Sequence, residues 1–128
     1  MAPKNELFEA AKKAMAASRS PYSRLKVGAA LRAKDGRTYT GCNLEAASFG
    51  LTICAERVAV FSALASGARK FSEIAIVSTA EEPITPCGAC RQVLWELCGD
   101  MKVSVYNRRG KCRSFQLSQL LPFPFDKF

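Results

Sequence analysis

Three cysteines and one carboxylate constrain this chain more than any other feature. They are Cys54-Ala55-Glu56 and, one helical pattern and one strand pattern later, Pro86-Cys87-Gly88-Ala89-Cys90. For three thiols at that spacing to hold one zinc ion, the fold must carry residue 54 against residues 87 and 90. Cys87 and Cys90, at i and i+3, point to one side of a helix. Both fall in a first turn, where unpaired N–H groups and the helix dipole favour thiolate over thiol. Cys54 also begins a helical pattern, so the fold has to set two helix N-termini face to face. Zinc takes Cys sulfur at ~2.3 Å, and three protein ligands leave a fourth position for water, which separates a catalytic site from a closed structural one. Bound zinc lowers the pKa of water from ~15.7 towards ~7. Glu56 then stands beside that water without being a ligand.

Periodicity supplies elements of the right kind around these residues. Residues 5–18 carry apolar side chains at 7, 8, 11, 14 and 15, a helical period that Pro21 ends. Residues 27–33 read as a strand, Asp35-Gly36 as a two-residue hairpin turn, and 37–42 as the antiparallel partner. Residues 41–53 have no sustained period and are expected to loop past the site. A helix over 54–66 places Val58, Phe61, Leu64 and Ala65 on one face and stops at Gly67. The run Ile74-Ala75-Ile76-Val77 inside 71–78 suits a central strand buried on both faces. After a loop over 81–86, Pro86 starts a second helix that carries Val93, Leu94 and Leu97 and ends at Gly99. Strands over 101–106 and 111–115 and a short helix over 118–121 complete the order αββαβαββα. That order predicts one domain over residues 1–128, a three-layer α-β-α sandwich around a mixed five-stranded sheet.

Composition removes several alternatives. The chain has no histidine, which excludes a Ser-His-Asp triad, a Cys-His dyad and any His-ligated metal. Six cysteines without a secretory leader pattern point to metal or redox chemistry in the cytoplasm rather than to a disulfide framework. No apolar run reaches membrane-spanning length. The net charge of +8 is spread along the first third and around Gly110, with no interleaved aromatic residues to stack bases, so it reads as solvated surface and not as a nucleic-acid interface. Alone, Cys87 and Cys90 would also fit a thioredoxin-like redox pair or half a structural zinc knuckle. A structural site would want a fourth ligand from Cys42, Cys98 or Cys112, whose strand and helix-end positions suit core thiols better.

Cysteine or histidine as first ligand, a nearby Glu and a Pro-Cys-x-x-Cys pair form the signature of zinc nucleobase deaminases. At these residues the chain resembles the cytidine deaminase family, in particular its small homotetrameric three-cysteine form. The resemblance extends through Pro21-Tyr22-Ser23-Arg24, Val27-Gly28-Ala29-Ala30, Gly41-Cys42-Asn43-Leu44-Glu45, Cys54-Ala55-Glu56-Arg57, Pro86-Cys87-Gly88-Ala89-Cys90-Arg91-Gln92-Val93 and Leu120-Leu121-Pro122. It implies hydrolytic deamination of cytidine and 2′-deoxycytidine to the uridines, with one zinc per chain on Cys54, Cys87 and Cys90 and proton transfer by Glu56. Asn43 and Glu45 would bind the ribose 3′-hydroxyl, and backbone at Ala55 would hold the base. Arg57 and Gln92 would donate to the zinc thiolates and moderate their charge.

The chain departs from the family pattern at three places. Leu25 stands where a Phe against the substrate is usual, Lys26 where Pro is frequent, and Phe49 where Tyr is frequent. A C-terminal Phe of the family reaches a neighbouring subunit's active site, and Phe125 aligns best with it among Phe123, Phe125 and Phe128. Two other classes of function compete with a nucleoside deaminase. One is a related deaminase acting on blasticidin S or on polynucleotide cytosine. The other is a zinc-binding interaction module without catalysis. Asn43 with Glu45 argues against the first, and Glu56 with an open fourth position against the second.

Overall fold

The computed structural model describes residues 6–127. Asn5 and Phe128, to which the sequence reading extends, lie outside the described residues. Helix α1 (Glu6–Met15) precedes strands β1 (Val27–Ala33) and β2 (Thr38–Cys42). A single 3-10 turn (Phe49–Leu51) interrupts the long loop that follows. Helix α2 (Ala55–Ala65), strand β3 (Phe71–Ser78) and helix α3 (Gly88–Cys98) come next. Strands β4 (Lys102–Asn107) and β5 (Cys112–Gln116) and helix α4 (Leu117–Leu120) close the order. The sheet runs β2-β1-β3-β4-β5, and β3–β4 is its parallel pair. That pair needs a crossover, which α3 provides.

Alternation along β1 divides the core between the two faces. Ala29, Leu31 and Ala33 face α2 and the main cluster with Leu94 and Leu117, while Ala30 meets Leu7, Phe8, Ala11 and Met15 of α1. This is the expected three-layer sandwich. Two glycines set how closely the helices approach it. A Cβ on Gly28 would lie 2.0 Å from the Ala11 carbonyl oxygen and 2.6 Å from the Met15 nitrogen. A Cβ on Gly41 would lie 2.5 Å from the Ala59 nitrogen and 2.7 Å from the Ala55 oxygen. Helix α1 therefore rests on Gly28 backbone on one face, and α2 rests on Gly41 backbone on the other.

That contact corrects one expectation. The buried face of α2 is Ala55, Glu56, Ala59, Val60 and Ala63, whereas Phe61 is 46% exposed and Val58 and Leu64 are only partly covered. Seating Ala55 and Ala59 on the Gly41 backbone turns Val60 into the core, so Phe61 and Ala65 fall on the exposed side and Val58 and Leu64 lie at the boundary. The loop over 41–53 also has more order than its lack of period suggests: Leu44 bridges both Arg19 and Ile53. Helix α3 starts after Cys87 because Cys87, in extended conformation, is its N-cap. The start of β1 and the ends of β2, β3 and β4 come together at one end of the sheet, since Val27 pairs with Ser78, Gly28 with Cys42 and Ser78 with Asn107. The loops leaving that end build the site.

Candidate active site and metal centre

Cys54 and Cys87 are the N-caps of α2 and α3, and neither side chain caps its own helix. Both thiols are thereby left to face each other, with Sγ atoms 3.8 Å apart. Cys90, one turn into α3 and fully buried, completes a cluster whose sulfurs all lie within 4.8 Å of one another. Tetrahedral ligands at ~2.3 Å from zinc sit ~3.8 Å apart, so the donor set fits that ion in type and spacing. Among the described residues this is the only such group of three candidate ligands. Cys42, Cys98 and Cys112 are free thiols elsewhere, and burial pushes the Cys98 thiol up to about 12, as suits an inert core residue.

One thiol of the cluster is drawn towards thiolate at the expense of another. Hydrogen bonding from Cys90, aided by Arg57 and Cys87, pulls the Cys54 thiol down to about 5. Cys90 moves the opposite way, held protonated as the donor to Cys54 and raised further by burial. Arg57 donates from Nη2 to Cys54 Sγ at 3.5 Å, and that contact raises its own pKa. Its Nε is buried without a hydrogen-bond partner among the described residues. Three thiolates around a zinc ion would leave a net charge of −1, which a guanidinium in contact with Cys54 would offset.

Glu56, only 5% exposed, projects from the first turn of α2. Desolvation is the main cause that pushes its carboxyl up to about 7, and the nearby Cys54 thiolate adds to it. It shares the wall of a cavity of about 260 Å³ with Cys54, Ala55 and Cys87, and with Leu25, Asn43 and Glu45 from the other loops. Two of the expected metal ligands, Cys54 and Cys87, thus share one cavity with the expected proton carrier and sugar-binding residues, and Cys90 is buried beside them.

The polar pair at 43 and 45 is held by the chain itself. Asn43 Oδ1 accepts from Ser18 Oγ and from the Val27 N–H at 3.0 Å, while Nδ2 donates to the Leu25 carbonyl at 2.8 Å. One Nδ2 hydrogen is left over. Glu45 Oε1 accepts from the N–H groups of Tyr22 (3.0 Å) and Ser23 (3.1 Å), and Oε2 accepts from Ser23 Oγ. The Ser23 hydroxyl is the main cause holding this carboxyl below its usual range. The turn that delivers these donors carries Arg24 in the left-handed region, at φ 64°. Leu25 forms cavity wall in the place of the usual Phe.

Phe49 stands at the rim. It is exposed, packs edge-on to Tyr22 with ring centroids 5.9 Å apart, and borders a shallower depression shared with Tyr22, Ser23, Glu45 and Thr52. Phe125 does not line the cavity of its own chain. Gln92 differs from expectation, because its amide goes to the tail and not to a thiolate. It donates to the Phe125 carbonyl at 2.8 Å and accepts from the Phe125 N–H at 3.2 Å. Sequence reasoning gave no role to Ser23, Thr85, Ile84 or Arg91. Ser23 and Arg91 lie inside the family-like segments, but their partners at Glu45 and Leu120 are distant in sequence.

Comparison with known proteins agrees with this geometry. The model of the cytidine and deoxycytidylate deaminase zinc-binding region matches residues 1–107. A cytidine deaminase of Sporosarcina psychrophila is 45% identical over 123 residues, spanning 95% of this chain and 90% of that protein. This chain belongs to the cytidine deaminase family. A cytidine deaminase of Halalkalibacterium halodurans is 51% identical over 106 residues, covering 82% of this chain and 80% of the relative. The crystal structure of cytidine deaminase from Burkholderia pseudomallei superposes with a TM-score of 0.91 at 49% identity, over 94% of this chain and 98% of that one. The α/β fold with a mixed five-stranded sheet is thus that of the cytidine deaminase family, and its zinc-binding region carries a Cys54/Cys87/Cys90 cluster able to hold a metal ion. No helix among the described residues is long and apolar enough to cross a membrane.

Proposed function

We propose that this chain is a zinc-dependent enzyme that deaminates cytidine and 2′-deoxycytidine hydrolytically, releasing ammonia and the uridines. One observation carries the reading: a buried carboxyl, Glu56, shares a single cavity with a three-thiol metal cluster and with the Asn43–Glu45 pair. Zinc on Cys54, Cys87 and Cys90 would supply water acidified enough to react at neutral pH. Glu56 takes the water's proton, passes it to N3 of the pyrimidine as C4 is attacked, and then assists departure of ammonia from C4. Burial suits it to both halves of that task, since a carboxyl pushed up to about 7 accepts and releases a proton near neutrality. Ala55 backbone would hold the base, and Leu25 would pack against it. Loss of ultraviolet absorbance should be followed in parallel with cytidine, deoxycytidine, a cytidine nucleotide and blasticidin S. Turnover of the first two supports the reading, and turnover of blasticidin S alone overturns it.

Sugar recognition follows from how Glu45 is held. With donors from Tyr22 and Ser23 already on it, the ionised carboxylate can only accept, and so it reads a hydroxyl hydrogen. If Asn43 and Glu45 bind the 3′-hydroxyl, 3′-deoxycytidine should fall below 2′-deoxycytidine in kcat/KM by on the order of 10²-fold or more. Fully buried hydroxyl sites reach ~10⁴–10⁵, and Glu45 is only partly buried. Free cytosine should be a very poor substrate. Equal kcat/KM for the two deoxy compounds would contradict this role.

The assembly we propose is a homotetramer with shared active sites, working in the cytoplasm, where the free thiols would stay reduced. The support is apolar surface that one chain leaves uncovered: Phe61 on α2, Phe123 at 91% and Phe125 at 64% exposure. Burying a Phe side chain is worth roughly 1.5–3 kcal/mol. Pro122 and Pro124 keep the tail from continuing as helix or central strand, so it is shaped to dock. Truncation after Leu121 should lower kcat/KM and weaken the tetramer while zinc stays bound. Light scattering and kinetics check this, and a fully active monomer, before or after cutting, refutes shared sites.

A further inference from the structure

We propose that Arg91 is a positioning residue for the metal centre, fixing the loop that presents Cys87. The proposal rests on the reading of the three cysteines as zinc ligands and adds a residue to which that reading assigns nothing. Arg91 follows Cys90 on α3, and its partly buried guanidinium is spent on three separate acceptors. Nε donates to the Pro86 carbonyl at 2.8 Å, Nη2 to Thr85 Oγ1 at 2.9 Å and Nη1 to the Leu120 carbonyl at 2.7 Å. Two of these acceptors lie in the residues just before Cys87, and Thr85 also lines the substrate cavity.

The consequence for Cys87 is geometric. Its side chain is exposed and caps nothing, so apart from the Cys54 sulfur at 3.8 Å no packing of its own fixes the direction of its thiol. What fixes it is the backbone on either side. The Cys87 carbonyl accepts from the Arg91 N–H at 3.0 Å, and the Pro86 carbonyl, in the peptide plane that contains the Cys87 N–H, accepts from Arg91 Nε. Arg91 therefore holds both peptide planes around the most exposed ligand, one through its backbone and one through its side chain. The bond to Leu120 anchors the same guanidinium to the last turn of α4, so the loop is braced against a fixed element. A forked, planar cation with several donors is required, and a lysine ammonium cannot reach three divergent acceptors in that way.

Zinc release from the purified holoenzyme to a colorimetric chelator tests this, alongside the visible spectrum of the cobalt(II)-substituted enzyme. Arg91→Met and Arg91→Lys are both expected to bind zinc ~10–100-fold more weakly, the usual effect of losing a group that orients a metal ligand. Both should also alter the cobalt d–d bands. Arg69→Met is the comparison. Arg69 donates to the Leu64 and Ala68 carbonyls at the end of α2, so its loss should cost stability without changing zinc release or the cobalt spectrum. If Arg91→Met does not fold, Thr85→Val removes one arm alone and should accelerate release several-fold. Zinc retention and cobalt bands like the wild type in the Arg91 variants overturn the proposal. So does full recovery in Arg91→Lys, which would reduce the role to charge. Zinc stoichiometry and deamination by the wild type test the underlying reading separately, so the two failures are distinguishable.

Discussion

Glu56→Gln is expected to keep its zinc, its fold and its affinity for nucleoside while losing nearly all turnover. The substitution is almost isosteric, and the Glu56 carboxyl lies outside the three-thiol cluster and accepts its hydrogen bond from its own backbone N–H. What disappears is the ability to carry a proton. General acid–base catalysis is typically worth ~10²–10⁴ in rate. One carboxyl that takes a proton from water, delivers it to N3 and then assists the leaving ammonia handles more than one transfer, so the loss should reach or exceed the upper end. Burial strengthens the expectation, because with a side chain 5% exposed bulk water has little access to substitute as the proton carrier. The measurement is kcat for cytidine together with metal content and thermal stability. Near-normal kcat in a zinc-replete Glu56→Gln enzyme would move the proton shuttle elsewhere.

The metal motif and the element order were legible because both depend on local chemistry. Asp35-Gly36 reads as a hairpin turn since only a left-handed residue closes it, and Gly36 adopts φ 95° there. Ile74 to Val77 reads as a central strand since no polar residue interrupts it, and β3 lies between β1 and β4. The inward face of α2 was misread for a non-local reason. Its position is set by Gly41, a residue of another element, whose bare backbone lets Ala55, Val58 and Ala59 approach closely and leaves Phe61 on the exposed side. The braces on the site were illegible for the same reason. Nothing in the spacing says that Ser23 will hold Glu45, that Arg91 will hold Thr85 and Pro86, or that Gln92 will clasp Phe125. Motifs name the groups that do chemistry, whereas the groups that aim them are chosen by tertiary neighbours.

Replacing any one of Cys54, Cys87 and Cys90 with Ala should take zinc from one per chain to nearly none, and activity with it. An open site has only three protein ligands, so losing one leaves two thiolates and water, too few to hold the ion at working concentrations. The three variants should nevertheless differ in stability. Cys90 is wholly buried, and Cys90→Ala therefore adds a packing loss to the loss of metal. Cys87 is exposed, and Cys87→Ala removes only the ligand, so any fall in its Tm measures what bound zinc contributes to the folded state. Cys54→Ala also frees Arg57, whose guanidinium loses the thiolate it faces at 3.5 Å and is left partly buried with an unsatisfied Nε. Cys42→Ala, Cys98→Ala and Cys112→Ala serve as comparisons and should keep full zinc, since those thiols stand apart from the cluster. Metal analysis of the purified variants decides the matter. Full occupancy in all of Cys54→Ala, Cys87→Ala and Cys90→Ala would remove these residues from the centre, and with them the reason for Glu56 to be buried beside it.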